Sequence, residues 1–213
     1  MFKRYKKTLI ITSILILLPV AAGLILWNRL PDTMAIHWGS DGEPNGWSGK
    51  FFAVVGIPLF LLGCQWLCAM ISFADPKKQN LIGSKTFQLV LCIIPAVALI
   101  CQPAVMCEAL GVHFPFDRVL PVFLGVLFIL IGNWLPKCRQ SYTMGIKLPW
   151  TLADEENWRR THRLAGVVWV IGGVLCVISG LLKVQIVMVA AFIAMIAIPT
   201  IYSYVIFKKS RDE

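Results

Sequence analysis

The chain has 213 residues, 58% hydrophobic and only 15% charged, against roughly one quarter charged in soluble domains. Five or six apolar runs approach the roughly 20 residues that cross a bilayer, which excludes a water-soluble globule and leaves no length for a separate globular domain. A net charge of +9 would suggest nucleic acid in a soluble chain, but in a polytopic one basic residues orient the helices, and no direct nucleic-acid contact is expected.

In chain order, Lys3, Arg4, Lys6 and Lys7 precede a first predicted span over 8–27, with Pro19 as a kink. No small-residue cleavage site follows, so the segment reads as a retained span. A polar loop over 28–50 leads to a second span at 51–73, then to the turn Asp75-Pro76-Lys77-Lys78-Gln79-Asn80. The third span, 86–110, contains Pro95 and Pro103 and is expected to bend; the fourth covers 118–135. A long polar stretch over 136–163 precedes the fifth span, 164–182, a tight turn at 183–185, and the sixth span, 186–207.

Counting basic residues on alternate sides tests this order. Sixteen fall with the two termini, the 75–85 turn and the 136–163 stretch, and four (Arg29, Lys50, Arg118, Lys183) fall opposite. That asymmetry satisfies the positive-inside rule. The expected fold is therefore all-α, with six transmembrane helices, both termini and 136–163 cytoplasmic, and 28–50 external. Gly172, Cys176 and Gly180, with Gly173 and Ser179 alongside, form a strip of small residues that lets another helix approach closely. The fifth span is expected to be the central packed helix.

Few groups suggest chemistry. The seven cysteines form no Cys-x-x-Cys pair and lie almost entirely in apolar runs, so they read as packing residues. Gln65, Gln88, Gln102, Glu108 and Asn133 are the polar candidates at membrane depth, too few for an ion pathway. Phosphate-loop, His-Glu-x-x-His and Gly-x-Ser-x-Gly motifs are missing, so neither an enzyme nor a cofactor is expected.

The external loop holds His37, Trp38, Asp41, Glu43 and Trp47. Residues 33–38 partly alternate, as a short extended piece would, and Asp41-Gly42 and Asn45-Gly46 are turn signals. Asp41, Glu43, Asn45 and Gly46 imitate the front of a calcium loop, but Phe52 stands where a bidentate carboxylate belongs, so no metal site is expected. Trp38 and Trp47 suit an interfacial belt, and the loop's polar and aromatic groups suit outward binding.

The cytoplasmic stretch holds Lys147, Pro149, Trp150, Glu155, Glu156, Trp158, Arg159, Arg160, His162 and Arg163. Pro149 predicts an extended Leu148. Thr151 reads as a helix N-cap, with Asp154 three residues on approximating a capping box. Glu155–Arg159 and Glu156–Arg160 are favourably ordered i,i+4 pairs. Trp158, His162, Ala165 and Trp169 share one face. The residue types fit either a lipid anchor, with Trp150 and Trp158 in the headgroups, or a docking surface for a cytoplasmic partner.

The run from Gly145-Ile146-Lys147-Leu148-Pro149-Trp150-Thr151-Leu152 through Glu155-Glu156-Asn157-Trp158-Arg159-Arg160-Thr161-His162-Arg163-Leu164-Ala165-Gly166 closely resembles the signature of the SdpI family. Gly132-Asn133-Trp134-Leu135-Pro136-Lys137 resembles its upstream pattern. The 31–50 passage, with His37-Trp38, Gly42 and Trp47, is similar to the small domain of unknown function that often precedes it. Lys147-Leu148 replaces a usual Arg-Thr, and Ser141 stands where asparagine is common. The resemblance divides the chain into an N-terminal membrane region, 1–85, and an SdpI-like region, 86–213. It implies a plasma-membrane protein conferring immunity to a secreted peptide toxin, in some members also holding a transcriptional repressor at the membrane. Lipids, an external toxin and a cytoplasmic repressor are the implied partners. A small transporter and a signalling or structural module without immunity activity are the alternatives.

Overall fold

The computed structural model describes residues 1–39 and 42–212. Among them are six helices long and apolar enough to cross a membrane, and the chain is a multi-pass membrane protein. Helices suit these runs because lipid offers the backbone no hydrogen-bond partner, whereas each helix satisfies its own. The chain divides into two compact units, 1–73 with 88–116 and 74–87 with 117–213.

The first unit contains α1 (Phe2–Ile25), an antiparallel hairpin of β1 (Thr33–Trp38) and β2 (Pro44–Gly49), α2 (Phe52–Phe73) and most of α3 (Lys85–Ala109). The fold is thus not purely helical. Residues 33–38 are extended as expected, but 44–49, which the Asn45-Gly46 signal assigned to a turn, is the partner strand. Pro44 sits at its first residue, where a missing N–H is tolerated. Gly46 lies against His37, and a Cβ there would stand 2.9 Å from the His37 Cβ. Such a hairpin is marginal alone. Met34, 1% exposed, and Leu30 root this one in a cluster with Ala53, Val54 and Val105.

The first turn of α2, Phe52–Gly56, is a π-helical turn. The Ala53 carbonyl accepts from the Gln102 Nε2 at 3.0 Å. Gln65 donates to the Leu91 carbonyl at 2.8 Å and to the Thr12 hydroxyl at 3.2 Å. Both buried glutamines therefore bind helix to helix, as polar side chains do in membrane interiors.

The second unit contains the 74–87 turn, α4 (Phe116–Trp134), a connecting loop, the short α5 (Pro149–Ala153), α6 (Glu155–Leu182) and α7 (Gln185–Asp212). Helix α6 lies between α4 and α7 and uses two strips of small residues. Gly166, Gly173 and Gly180, seven apart, meet Gly132, Gly125 and the Arg118 carbonyl on α4. A Cβ on Gly173 would stand 2.6 Å from the Gly125 carbonyl oxygen. Gly172 faces Met195 on α7, and Cys176 is buried with Ala191 and Met195. The expected 172/176/180 strip is therefore shared between two neighbours.

Helix α6 begins at Glu155, well before the predicted span start, so the charged segment and the span are one continuous helix.

Candidate functional site

The segment over 136–163 is built around carbonyls and N–H groups that its irregular backbone leaves without helical partners. Leu148 is extended (φ −109°, ψ 152°), as a residue before proline should be. Thr151 is not the N-cap of the long helix. It lies inside α5, where its hydroxyl accepts from the Leu148 N–H at 2.9 Å and donates to the Ile146 carbonyl at 2.8 Å. Asp154 caps α6 instead, accepting from the Glu156 N–H at 2.8 Å. Two successive helix starts separated by an extended Asp154 explain the shift.

His162 and Trp158 form the floor. His162 is fully buried, with Nδ1 2.8 Å from the Trp158 carbonyl and Nε2 accepting from the Ile146 N–H at 2.9 Å. A carbonyl can only accept and an N–H can only donate, so the ring is held neutral with its proton on Nδ1. The Trp158 ring stacks on His162 with centroids 4.0 Å apart, and its Nε1 donates to the Cys138 carbonyl at 2.8 Å. Gly145 (φ +103°) passes over both rings; a Cβ there would stand 2.5 Å from His162 Nε2 and 2.7 Å from Trp158. Only glycine fits that backbone and that gap. Both side chains are buried within the protein, Trp158 2% exposed and His162 fully enclosed.

The rest of the lattice rests on Asp75, Gln140 and Ser141. Asp75, 2% exposed, accepts at Oδ2 from the Ser141 hydroxyl (2.7 Å), the Thr143 hydroxyl (2.8 Å) and the Tyr142 and Thr143 N–H groups (both 3.0 Å). Its Oδ1 takes the Lys77 N–H at 2.7 Å. Burial pushes this carboxyl up, but the hydroxyls of Ser141 and Thr143 and the N–H groups of Lys77 and Thr143 outweigh it and hold it below the usual carboxylate range. Gln140 donates to the Thr151 and Leu152 carbonyls (2.9 and 3.0 Å), accepts from Lys77, and its backbone carbonyl takes Asn80 Nδ2 at 2.8 Å. Ser141 is thus a direct hydrogen-bond donor to Asp75.

A second set ties the segment to α7. Trp150 Nε1 donates to the Ser203 hydroxyl at 2.9 Å, and its ring meets Tyr204 and Phe207. Asn157 donates to the Ser203 carbonyl at 2.9 Å and accepts from the Thr161 hydroxyl at 3.0 Å. Trp150 is docked on protein rather than free in headgroups.

What remains outside is a charged rim. Lys147, Pro149, Glu155, Glu156, Arg159, Arg160 and Arg163 are all exposed. The expected i,i+4 pairs are replaced by one i,i+3 pair, in which Arg159 grips Glu156 through Nε (2.8 Å) and Nη2 (2.9 Å). Glu155 turns instead toward Lys77, 3.9 Å away. Beside the rim, a cleft of about 370 Å³ is lined by Asn80, Lys137, Cys138, Arg139, Trp158 and Arg159 among others.

On the hairpin, His37, Glu43 and Trp47 are exposed, Trp47 by 60%. His37 Nδ1 lies 2.5 Å from Asn45 Oδ1. Trp38 is half-buried, stacked on Phe116 with centroids 3.8 Å apart. Asp41 lies outside the described residues.

Asp75, Gln140, Asn157 and Ser203 were missed because their partners are 11 to 68 residues away in sequence. The available signal was that a single acid and a glutamine stood in turns otherwise basic.

Comparison with known proteins returns two family matches. The model described as SdpI/YfhL protein family matches residues 137–203, and a domain of unknown function, DUF1648, matches residues 14–62. The chain is similar to "Immunity protein SdpI" of Bacillus subtilis (strain 168), with 27% identity over 207 residues, covering 94% of this chain and 96% of that protein. No solved structure matches.

Proposed function

We propose that this chain, whose residues 137–203 match the SdpI/YfhL protein family, is a membrane immunity protein protecting a bacterium from a secreted antimicrobial peptide. The observation carrying this reading is the similarity to an immunity protein along nearly the whole of both chains. The charge asymmetry supports placing both termini and the 136–163 segment in the cytoplasm and the hairpin outside. The hairpin would then meet the toxin, with His37, Glu43 and Trp47 presented outward.

On the inner side, Arg160 and Arg163 stand clear of the lattice, with Lys147, Glu155, Glu156 and Arg159 around them, and this rim would hold a cytoplasmic repressor. Buried Trp158 and His162 would serve by keeping the rim rigid. A transporter needs polar groups available at mid-depth, whereas Gln65 and Gln102 are committed to helix-to-helix bonds. Deleting the gene and challenging with a panel of peptide toxins tests immunity: raised sensitivity to at least one peptide supports it, and unchanged sensitivity to all refutes it. Pull-down with wild type and an Arg160→Ala, Arg163→Ala variant tests the rim: a partner lost from the variant supports docking, and equal capture refutes it.

A further inference from the structure

Three adjoining depressions on the second unit share their walls. The 370 Å³ cleft and a neighbouring one of about 270 Å³ have Asn80, Lys137 and Arg139 in common, and the second adds Ser84, Lys85 and Trp134. A third, also about 270 Å³, runs between α4 and α6 and is lined by Gly132, Asn133, Pro136, Gly166, Val167, Val170 and Ile171. Pro136 is a wall of both this groove and the first cleft.

The two kinds of depression differ in chemistry. The clefts are cationic. Among the described residues, the Arg139 guanidinium and the Lys85 ammonium make no hydrogen bond or ion pair, and Lys137 Nζ rests 4.5 Å above the Trp134 ring. The acid on the wall, Glu155, is drawn to Lys77, and Arg159 is already held by Glu156. The groove is apolar apart from Asn133. Its floor is low because Gly132 and Gly166 have no side chains, and a Cβ on Gly166 would stand 2.6 Å from Pro136 Cγ. It lies along two membrane-length helices, just where α4 ends at Trp134, a residue type common at the hydrocarbon boundary.

We propose that these depressions form one binding site for an anionic phospholipid, with the phosphate held by Lys137, Arg139 and Lys85 and an acyl chain in the Gly132–Gly166 groove. Basic pockets at the ends of membrane helices suit anionic headgroups, and Arg139 can grip a phosphate through two N–H groups. An acidic protein segment would use the cations but has no need of the groove, so the pairing of the two features selects a lipid. The site is independent of the immunity reading.

The test uses the full-length chain, delipidated in detergent and followed by native mass spectrometry. Phosphatidylglycerol is titrated against phosphatidylcholine with the same acyl chains, with inorganic phosphate and a glutamate decapeptide as separate arms. The expected result is at least tenfold tighter retention of phosphatidylglycerol, with that preference lost in Lys137→Gln, Arg139→Gln. Val167→Trp, which fills the groove, weakens phosphatidylglycerol binding severalfold. If the double variant aggregates, Arg139→Gln alone is read against Arg29→Gln, an equal charge loss in the first unit; only the former reduces the preference. Equal binding of both lipids, equal loss in Arg29→Gln, or an unaffected Val167→Trp overturns the proposal. Displacement of the lipid by equimolar inorganic phosphate marks a free-anion site instead, and decapeptide binding at least as tight as phosphatidylglycerol marks a protein partner; either overturns it too.

Discussion

Replacing Asp75 with asparagine tests how the 138–148 loop is held. The carboxylate takes four bonds at Oδ2 and one at Oδ1, all from donors. An asparagine has one acceptor oxygen, so its NH₂ must face either the Lys77 N–H or the four donors. The first arrangement is cheaper. It leaves one N–H opposed and removes the charge from the remaining bonds, for about 2 kcal/mol, given that an unsatisfied buried group costs roughly 1–3. Cys138 reports the opening: it is buried beside this loop, its thiol pushed up to about 11 by burial, and its carbonyl holds Trp158. Labelling by a water-soluble maleimide, resolved by peptide mass spectrometry, follows the open population when opening and reclosing are fast. At about 1.4 kcal/mol per tenfold, Asp75→Asn should label roughly 30-fold faster. A change below twofold would refute the role given to Asp75.

Acid should act through the same group. Because the folded carboxyl lies below its usual value of about 3.9, its contribution is complete above that value and is lost as pH falls through the folded one. Amide exchange of residues 138–148, corrected for intrinsic rates, should therefore stay slow down to about pH 4 and rise below it, with Asp75→Asn showing no such step. Gly145→Ala should cost roughly 2–5 kcal/mol, from about 1–2 for the left-handed backbone and about 1–3 for overpacking Trp158 and His162. That corresponds to a fall of at least about 5 °C in the unfolding midpoint in detergent. Trp150→Phe removes the bond to Ser203 and part of the ring packed on Tyr204 and Phe207, and should cost about 1–2 kcal/mol, a smaller shift by the same measurement.

The sequence made the spans legible because lipid imposes a simple length and polarity rule, and α2, α3, α4 and the 183–185 turn lie within a few residues of expectation. It made Leu148 legible because proline acts on its immediate neighbour. The polar segment was less legible. Trp158 and His162 carry the residue types of surfaces, yet their environment is set by Gly145 folding over them, an event with no local signature. The hairpin's second strand was hidden because Gly46 serves a cross-strand contact with His37 rather than a turn. The Gly125/Gly132 repeat on α4 was readable, seven apart like its mates on α6, once both helices were compared.

The most direct test of the account is protection itself. The chain is expressed in a bacterium sensitive to secreted antimicrobial peptides, and its level in the membrane is measured alongside the inhibitory concentration of each peptide. The account predicts a raised inhibitory concentration for at least one peptide, lost when Trp47 and Glu43 are replaced by alanine without loss of the protein. An unchanged value for every peptide, with the protein present in the membrane, would contradict it.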